Sequence, residues 1–229
     1  MRYYPLLLDL HHKNCLVVGA GTVGTRKIRT LLKASPKHLL VLDTAPFSTK
    51  LTRLAARHPE LVLENRTFSA NDLDQKHLVF ACTSNRTLNA AIARGCQQRN
   101  ILCNIIDDPQ AGDVVLPSII QRGDLLVTVS TSGKSPALCR TLRQELDCRF
   151  GEEYEILLDL LGRIRQAMLP LGQDSDDNAE CFRSLVNSSL LAAIREKDTD
   201  EIRTILARLL PKELHPSIGA LTHDLFPSL

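Results

Sequence analysis

The chain has 229 residues, enough for a sizeable core and for one or two domains. Its hydrophobic share of 44% and charged share of 24% are those of an ordinary soluble globular protein, and 28 basic against 26 acidic residues leave a net charge of only +2. That balance argues against a nucleic-acid or membrane-surface binder, so attraction for an anionic ligand has to come from local groups of Lys and Arg.

At the N-terminus only Leu6 to Leu8 form an uninterrupted aliphatic stretch, too short for the core of a signal peptide. No later segment approaches the ~18 apolar residues that span a bilayer. The seven cysteines (Cys15, Cys82, Cys96, Cys103, Cys139, Cys148 and Cys181) are scattered and form no CxxC pair. They read as free thiols in a reducing compartment, and the expected location is the cytoplasm.

Asn14 to Gly19 is a short apolar run ending in glycine, the form of a buried parallel strand. Thr22 to Lys33 carries Val23, Ile28, Leu31 and Leu32 at helical spacing, and Ser35-Pro36 ends it. His38 to Leu42 predicts a second strand and Ser48 to Arg57 a second helix. Leu61 to Leu63 and His77 to Cys82 predict further strands, Asn85 to Arg99 a helix, and Ile101 to Ile106 a fifth strand. This alternation with short connections is the pattern of an open, mostly parallel sheet.

The pattern changes after Asp107-Asp108-Pro109. Val114 to Ile120 and Leu125 to Ser130 predict a hairpin, and Ser135-Pro136 a helix start. From Glu152 onward only helices are expected: Glu152 to Met168, Ala179 to Glu196 and Thr199 to Leu210, the first two separated by the polar run Gln173 to Asn178.

Gly19-Ala20-Gly21-Thr22-Val23-Gly24 is a GxGxxG between a predicted strand and a predicted helix, with Asp43 ending the second strand 24 residues after Gly19. In that context Gly19 allows the tight turn, Gly21 lets the backbone approach a pyrophosphate, and Gly24 lets helix and strand pack closely. The pyrophosphate would sit on the helix N-terminus, beside Thr22 and Val23. Asp43 would accept hydrogen bonds from ribose hydroxyls and repel a 2′-phosphate, so NAD is expected rather than NADP. Arg26 and Lys27 lie in the first helical turn, within reach of a phosphate, although exposed helix-face charges are more often just solvated.

Ligands of such sheets bind beyond the carboxyl ends of the strands. There the chain places Thr83-Ser84-Asn85 and the stretch Asn104 to Pro109. Asp107 is a candidate general base, or alternatively an acid that opens a turn before proline. Ser130 to Pro136 joins a strand to a helix with hydroxyls, N–H groups and Lys134, a loop suited to anions. Arg140 and Arg143 follow on one helix face, giving a basic patch for a ligand with several carboxylates, or an ordinary capped basic helix. There is no HExxH, no zinc spacing, no G-x-S-x-G and no P-loop, and no metal site is expected.

Together these residues resemble the precorrin-2 dehydrogenase/sirohydrochlorin ferrochelatase family, including the N-terminal half of bifunctional siroheme synthases. The resemblance runs through YPLLLDL (Tyr4 to Leu10), CLVVGAGTVGTRKIRTLL (Cys15 to Leu32), TSNRTLN (Thr83 to Asn89) and CNIIDDP (Cys103 to Pro109). It ends with LPSIIQRGDLLVTVSTSGKSPALCRTLR (Leu116 to Arg143), whose STSGKSP segment is far more specific than the glycine loop. It implies an α/β fold: a Rossmann NAD-binding domain (1–111), a small α+β dimerisation and substrate segment (112–149), and a helical C-terminal domain (150–229). Asp107 falls on the family's catalytic aspartate, framed by Asn104 and Pro109. Gly19, Gly21, Thr22, Val23, Gly24, Asp43 and Thr83 fall at the nucleotide site. Asn104, Thr131, Ser132, Lys134, Ser135 and Arg140 fall in the substrate region. Two departures stand out: Thr83-Ser84-Asn85 replaces the family's usual Thr-x-Asp, and Val114 stands where an aromatic is common.

The implied activity is NAD-dependent oxidation of precorrin-2 to sirohydrochlorin by a homodimer with a tetrapyrrole substrate. Whether Fe²⁺ insertion follows is left open. The alternatives are a non-catalytic sensor of NAD or tetrapyrrole, and an NAD-dependent dehydrogenase of another small substrate.

Overall fold

The structure, a computed structural model, describes residues 3–108, 110–172 and 174–226; Pro109 and Gln173 lie outside it. The chain divides into two units, Met1–Leu116 and Pro117–Leu229.

Among the described residues of the first unit, β1 (Asn14–Val18), β2 (His38–Asp43), β3 (Leu61–Asn65), β4 (Leu78–Ala81) and β5 (Leu102–Ile105) form one parallel sheet in the order β3-β2-β1-β4-β5. The strands are apolar on both faces because both faces are covered. Cys15, Val17, Leu39, Val41 and Phe80 pack with Ile28, Leu31 and Leu32 of α1 (Thr22–Lys33) and Leu51 of α2 (Thr49–Ala55). Their alternates, among them Leu16, Leu40, Val79 and Cys103, pack with Ile92, Ala93 and Cys96 of α3 (Arg86–Gln98). A 3₁₀ turn at Ala70–Leu73, absent from the sequence reading, adds Leu73 to this side. The Rossmann-type expectation holds, and the order of strands reverses between β1 and β4, the place where such sheets bind ligands.

The second unit opens with an antiparallel pair, β6 (Ser118–Arg122) and β7 (Leu125–Val129), joined through Gly123 at φ +52°. A side chain at Gly123 would be strained there and would press on Glu155 Cγ at 2.6 Å. β6 starts later than the expected Val114, for a physical reason. The N–H groups of Asp113 and Val114 donate to the Cys103 carbonyl, Val114 O accepts from Asn104 Nδ2, and Pro117 has no N–H to give a ladder.

α4 (Pro136–Arg149) follows, capped by the Ser135 hydroxyl on Leu138 N–H. The rest is helical: α5 (Glu153–Met168), α6 (Ser175–Val186), α7 (Leu190–Glu196), α8 (Thr199–Leu209) and α9 (Ile218–Leu221). Leu157, Leu160, Ile164 and Met168 line the buried face of α5 and meet Leu185, Leu190, Ile194, Ile202 and Leu206 in one core. The single helix expected over Ala179 to Glu196 is two. Ser188 Oγ donates to Leu185 O and accepts from Leu190 N–H, so a hydroxyl replaces helical backbone bonds at that point. Within the polar run, Asp174 caps α6 and the acids Asp176 and Asp177 sit in its first turn, where the helix dipole favours them.

Candidate functional site

The glycine loop leaves β1 at the strand reversal. Gly19 has φ +96°, and a Cβ there would lie 2.7 Å from the Cys82 backbone at the end of β4. A Cβ on Gly24 would run into the Gly19 carbonyl oxygen. Gly21 differs from both: its φ is −61°, and a Cβ would meet nothing within 4 Å. The protein's own packing therefore does not require glycine at 21, and the space in front of it is open to a ligand. Gly21 caps α1 without a side-chain bond, so the N–H groups of Thr22, Val23 and Gly24 have no intrahelical acceptor and form an anion-binding helix end.

Asp43, at the end of β2, braces this loop. Its Oδ2 accepts Ala20 N–H at 2.6 Å and its Oδ1 accepts Ala45 N–H at 2.8 Å, while Asn65 Nδ2 donates to the carbonyls of Asp43 and Ala45. Each carboxylate oxygen still has a lone pair to offer a ribose hydroxyl. Gly19, Gly21, Thr22, Val23, Asp43 and Thr83 all line one cavity of about 740 Å³, closed on other sides by Arg66, Phe68, Leu88 and Ile106. Arg66, unremarked in the sequence, has its guanidinium held by Glu64 and Asp72 at 2.7 Å, and the Asp72 carboxyl is kept below the usual range by that bond. Lys27 is partly buried, which lowers its ammonium pKa, whereas Arg26 is exposed. Burial pushes the Cys82 thiol up to about 11.

Asp107 follows β5. Its carboxylate accepts Asn89 Nδ2 at 2.9 Å on Oδ1, and Arg86 Nε stands 3.7 Å from Oδ2. Asn89, 1% exposed, also donates to the Thr83 carbonyl at 3.0 Å and accepts the Thr83 hydroxyl at 2.7 Å. Thr83 and Asp107 are thus bound to one buried amide. Asn104 is buried with its amide turned to Val114 O, so it anchors the segment after β5. Pro109 lies outside the described residues.

The other expected substrate residues lie in the second unit. Thr131 Oγ1 accepts Ser135 N–H at 3.1 Å and the Cys139 thiol at 3.3 Å, and Ser135 caps α4, so both build their own loop. Ser132 and Gly133 take left-handed backbone conformations that reverse the chain before Lys134. Lys134 and Arg140 are exposed and make no ion pair among the described residues. Arg143, by contrast, pairs with Asp147. Among the described residues no group of three or more His, Cys, Asp or Glu is placed to hold a metal, and no helix is long and apolar enough to cross a membrane.

Residues 6–118 match the family model described as "Putative NAD(P)-binding". Over 221 residues the chain is 28% identical to the siroheme synthase of Vesicomyosocius okutanii subsp. Calyptogena okutanii (strain HA), covering 96% of this chain and 47% of that one. It is 37% identical over 166 residues to siroheme synthase 2 of Serratia proteamaculans (strain 568), covering 72% of this chain and 35% of that one. The chain therefore spans about a third to a half of the length of these relatives. Among solved structures it is similar in fold to SirC, precorrin-2 dehydrogenase, with a TM-score of 0.74 and 21% identity, over 90% of this chain and 98% of that one.

Proposed function

From the premise that residues 6–118 belong to the NAD(P)-binding family they match and that the chain is a homologue of siroheme synthases, we propose that it is an NAD-dependent precorrin-2 dehydrogenase. The observation that carries the reading is the cavity at the strand reversal: an open helix end before Gly21, Asp43 at the ribose side, and Thr83 tied through Asn89 to Asp107. Bound at this cavity, NAD would supply the hydride acceptor, so that precorrin-2 would go to sirohydrochlorin with NADH and one proton released. Asp107 takes that proton, with Oδ2 the oxygen that carries no direct hydrogen bond. The N–H groups of Thr22, Val23 and Gly24 hold the pyrophosphate, and Asp43 selects the unphosphorylated ribose.

Lys134 and Arg140 take the acetate and propionate groups of the tetrapyrrole; their exposure and lack of ion pairs support that role, and Ser132 is the exposed hydroxyl beside them. Thr131 and Ser135 shape the loop that carries Lys134, and Asn104 anchors the segment after β5. Fe²⁺ enters the proposal as a substrate of a second step, in which the tetrapyrrole nitrogens ligate it and Asp107 takes displaced protons. The functional parts remain those expected: 1–111 for NAD, 112–149 for substrate and dimerisation, and 150–229 as a helical domain. A homodimer is supported by Ile119 and Leu126, which share one face of the β6–β7 pair with Gln121 and Thr128, all exposed. Free cysteines support a reducing, cytoplasmic setting.

The test is anaerobic absorbance of the protein with precorrin-2 and NAD, beside Asp107→Ala. The sirohydrochlorin spectrum with NADH, lost in the variant, is expected; Fe²⁺ then tests chelation. Reversing charge at Lys134 and Arg140 should cripple turnover, whereas a dehydrogenase of another small substrate would be indifferent. Binding of NAD without turnover would put the sensor reading first.

A further inference from the structure

We infer that Asn89 is a positioning residue of the proposed dehydrogenation, one that sets which Asp107 oxygen receives the proton and couples it to the nucleotide side of the cavity. The inference rests on the reading of Asp107 as the proton acceptor. Both Asn89 N–H donors are committed, to Asp107 Oδ1 at 2.9 Å and to the Thr83 carbonyl at 3.0 Å, and its oxygen accepts the Thr83 hydroxyl at 2.7 Å. The amide has one workable orientation. Turned over, its oxygen would face a carboxylate and a carbonyl, both acceptors, while its N–H groups lost those partners.

The helix makes this possible. Asn85 caps α3 by accepting Leu88 N–H, and Asn89 stands one turn further in, 1% exposed, beneath the Thr83 loop. A buried amide with no spare donor cannot shift without leaving a polar group unpaired. Occupying Oδ1 leaves Oδ2 as the oxygen for proton transfer. Among the described residues Arg86, from α3, faces it, and the neighbouring Asp108 turns its Oδ1 to the N–H groups of Gln110 and Ala111. Thr83 lines the nucleotide cavity, so one side chain holds both the nucleotide loop and the acid–base group in register.

The experiment is kcat against pH for wild type, Asn89→Ala and the isosteric Asn89→Asp, with Asp107→Asn alongside; melting temperature and NAD affinity are read for each. In Asn89→Asp a second carboxylate replaces the donor to Asp107, and the two cannot both ionise freely, so the acidic limb of kcat should rise by about one pH unit or more. Asn89→Ala should lose kcat about tenfold, the loss expected for a hydrogen bond to a charged group, with NAD affinity changed only a few-fold. A residue that merely supports the fold would lower the melting temperature and leave the limb in place. If Asp107→Asn is inactive and the Asn89→Asp limb coincides with wild type, the inference about Asn89 is wrong and the dehydrogenase reading stands. If Asp107→Asn turns over normally, the reading of Asp107 fails and takes this inference with it.

Discussion

Replacing Gly21, Gly24 and Gly162 singly by alanine separates a glycine kept for a ligand from one kept for packing. At Gly24 the new methyl would meet the Gly19 carbonyl, 2.9 Å from its carbon, with Cys82 Cβ at 3.5 Å. The obstacle is backbone, so the cost lies at the upper end of overpacking, about 3 kcal/mol. Alanine's better helix propensity returns about 1 kcal/mol. The net loss of about 2 kcal/mol should lower Tm by about 4–8 °C. At Gly21 nothing lies within 4 Å and the backbone (φ −61°, ψ −170°) suits any residue. Only the weaker N-cap propensity of alanine counts, about 0.5–1 kcal/mol, or a few degrees of Tm. NAD affinity, however, should fall tenfold or more, about 1.4 kcal/mol, because the methyl would stand at the proposed pyrophosphate site. Gly162 is exposed within α5 with nothing in range, so alanine there should raise stability by about 0.5–1 kcal/mol and serves as the control. Thermal unfolding and calorimetric titration with NAD read both quantities. A Gly21→Ala protein that binds NAD within threefold of wild type would refute the argument that the open space belongs to a ligand.

Asp43→Asn should narrow the preference for NAD over NADP about tenfold, because the amide oxygen keeps Ala20 N–H while the negative charge facing a 2′-phosphate is gone; an unchanged ratio of the two dissociation constants would contradict the role given to Asp43. In the second unit, the hydrogen bond from Arg195 at 2.6 Å holds the Glu153 carboxyl below its ordinary value. The ionised form is favoured in the folded state. The stabilisation is therefore present above the ordinary carboxylate range and lost as pH falls through the lowered one. Arg195→Gln should cost a few degrees of Tm at most at neutral pH, given the exposed arginine. That deficit should shrink as pH falls below the ordinary carboxylate range and the Glu153 carboxyl is protonated, and a deficit that stays the same size in acid would exclude the pairing as its cause.

Most of the sheet was legible because its signals are local. The apolar runs, the glycine loop and Ser135-Pro136 each act within a few residues, and the strands and α4 begin close to where those signals put them. Asp43 was legible for its position, but its bonds to Ala20 and Ala45 were not, since they depend on how β1 and β2 align. Asn89 had no local signal. An asparagine within a helix reads as solvated, and its contacts run to residues on both sides in sequence that only the fold brings near. The break between α6 and α7 was missed because the apolar spacing continues through it while a serine hydroxyl takes over the backbone bonds. Val114 to Pro117 looked like strand by composition, but Val114 N–H is committed to the Cys103 carbonyl and Pro117 has no N–H to give.

The strand order has a consequence for how the cavity comes into being. β1, β2 and β3 pair among themselves and carry the glycine loop and Asp43, whereas β4, α3 and β5 carry Thr83, Asn89 and Asp107. The β1–β4 ladder is the seam between these halves, and it joins residues more than sixty positions apart, from Cys15↔Leu78 to Val18↔Ala81. Each half is assembled from nearer neighbours than the seam is, so the glycine loop with Asp43 and the Thr83–Asn89–Asp107 group form separately and are brought together last. Amides of β1 and β4 facing each other across that ladder should then exchange with solvent together, as one opening event, whenever the cavity comes apart.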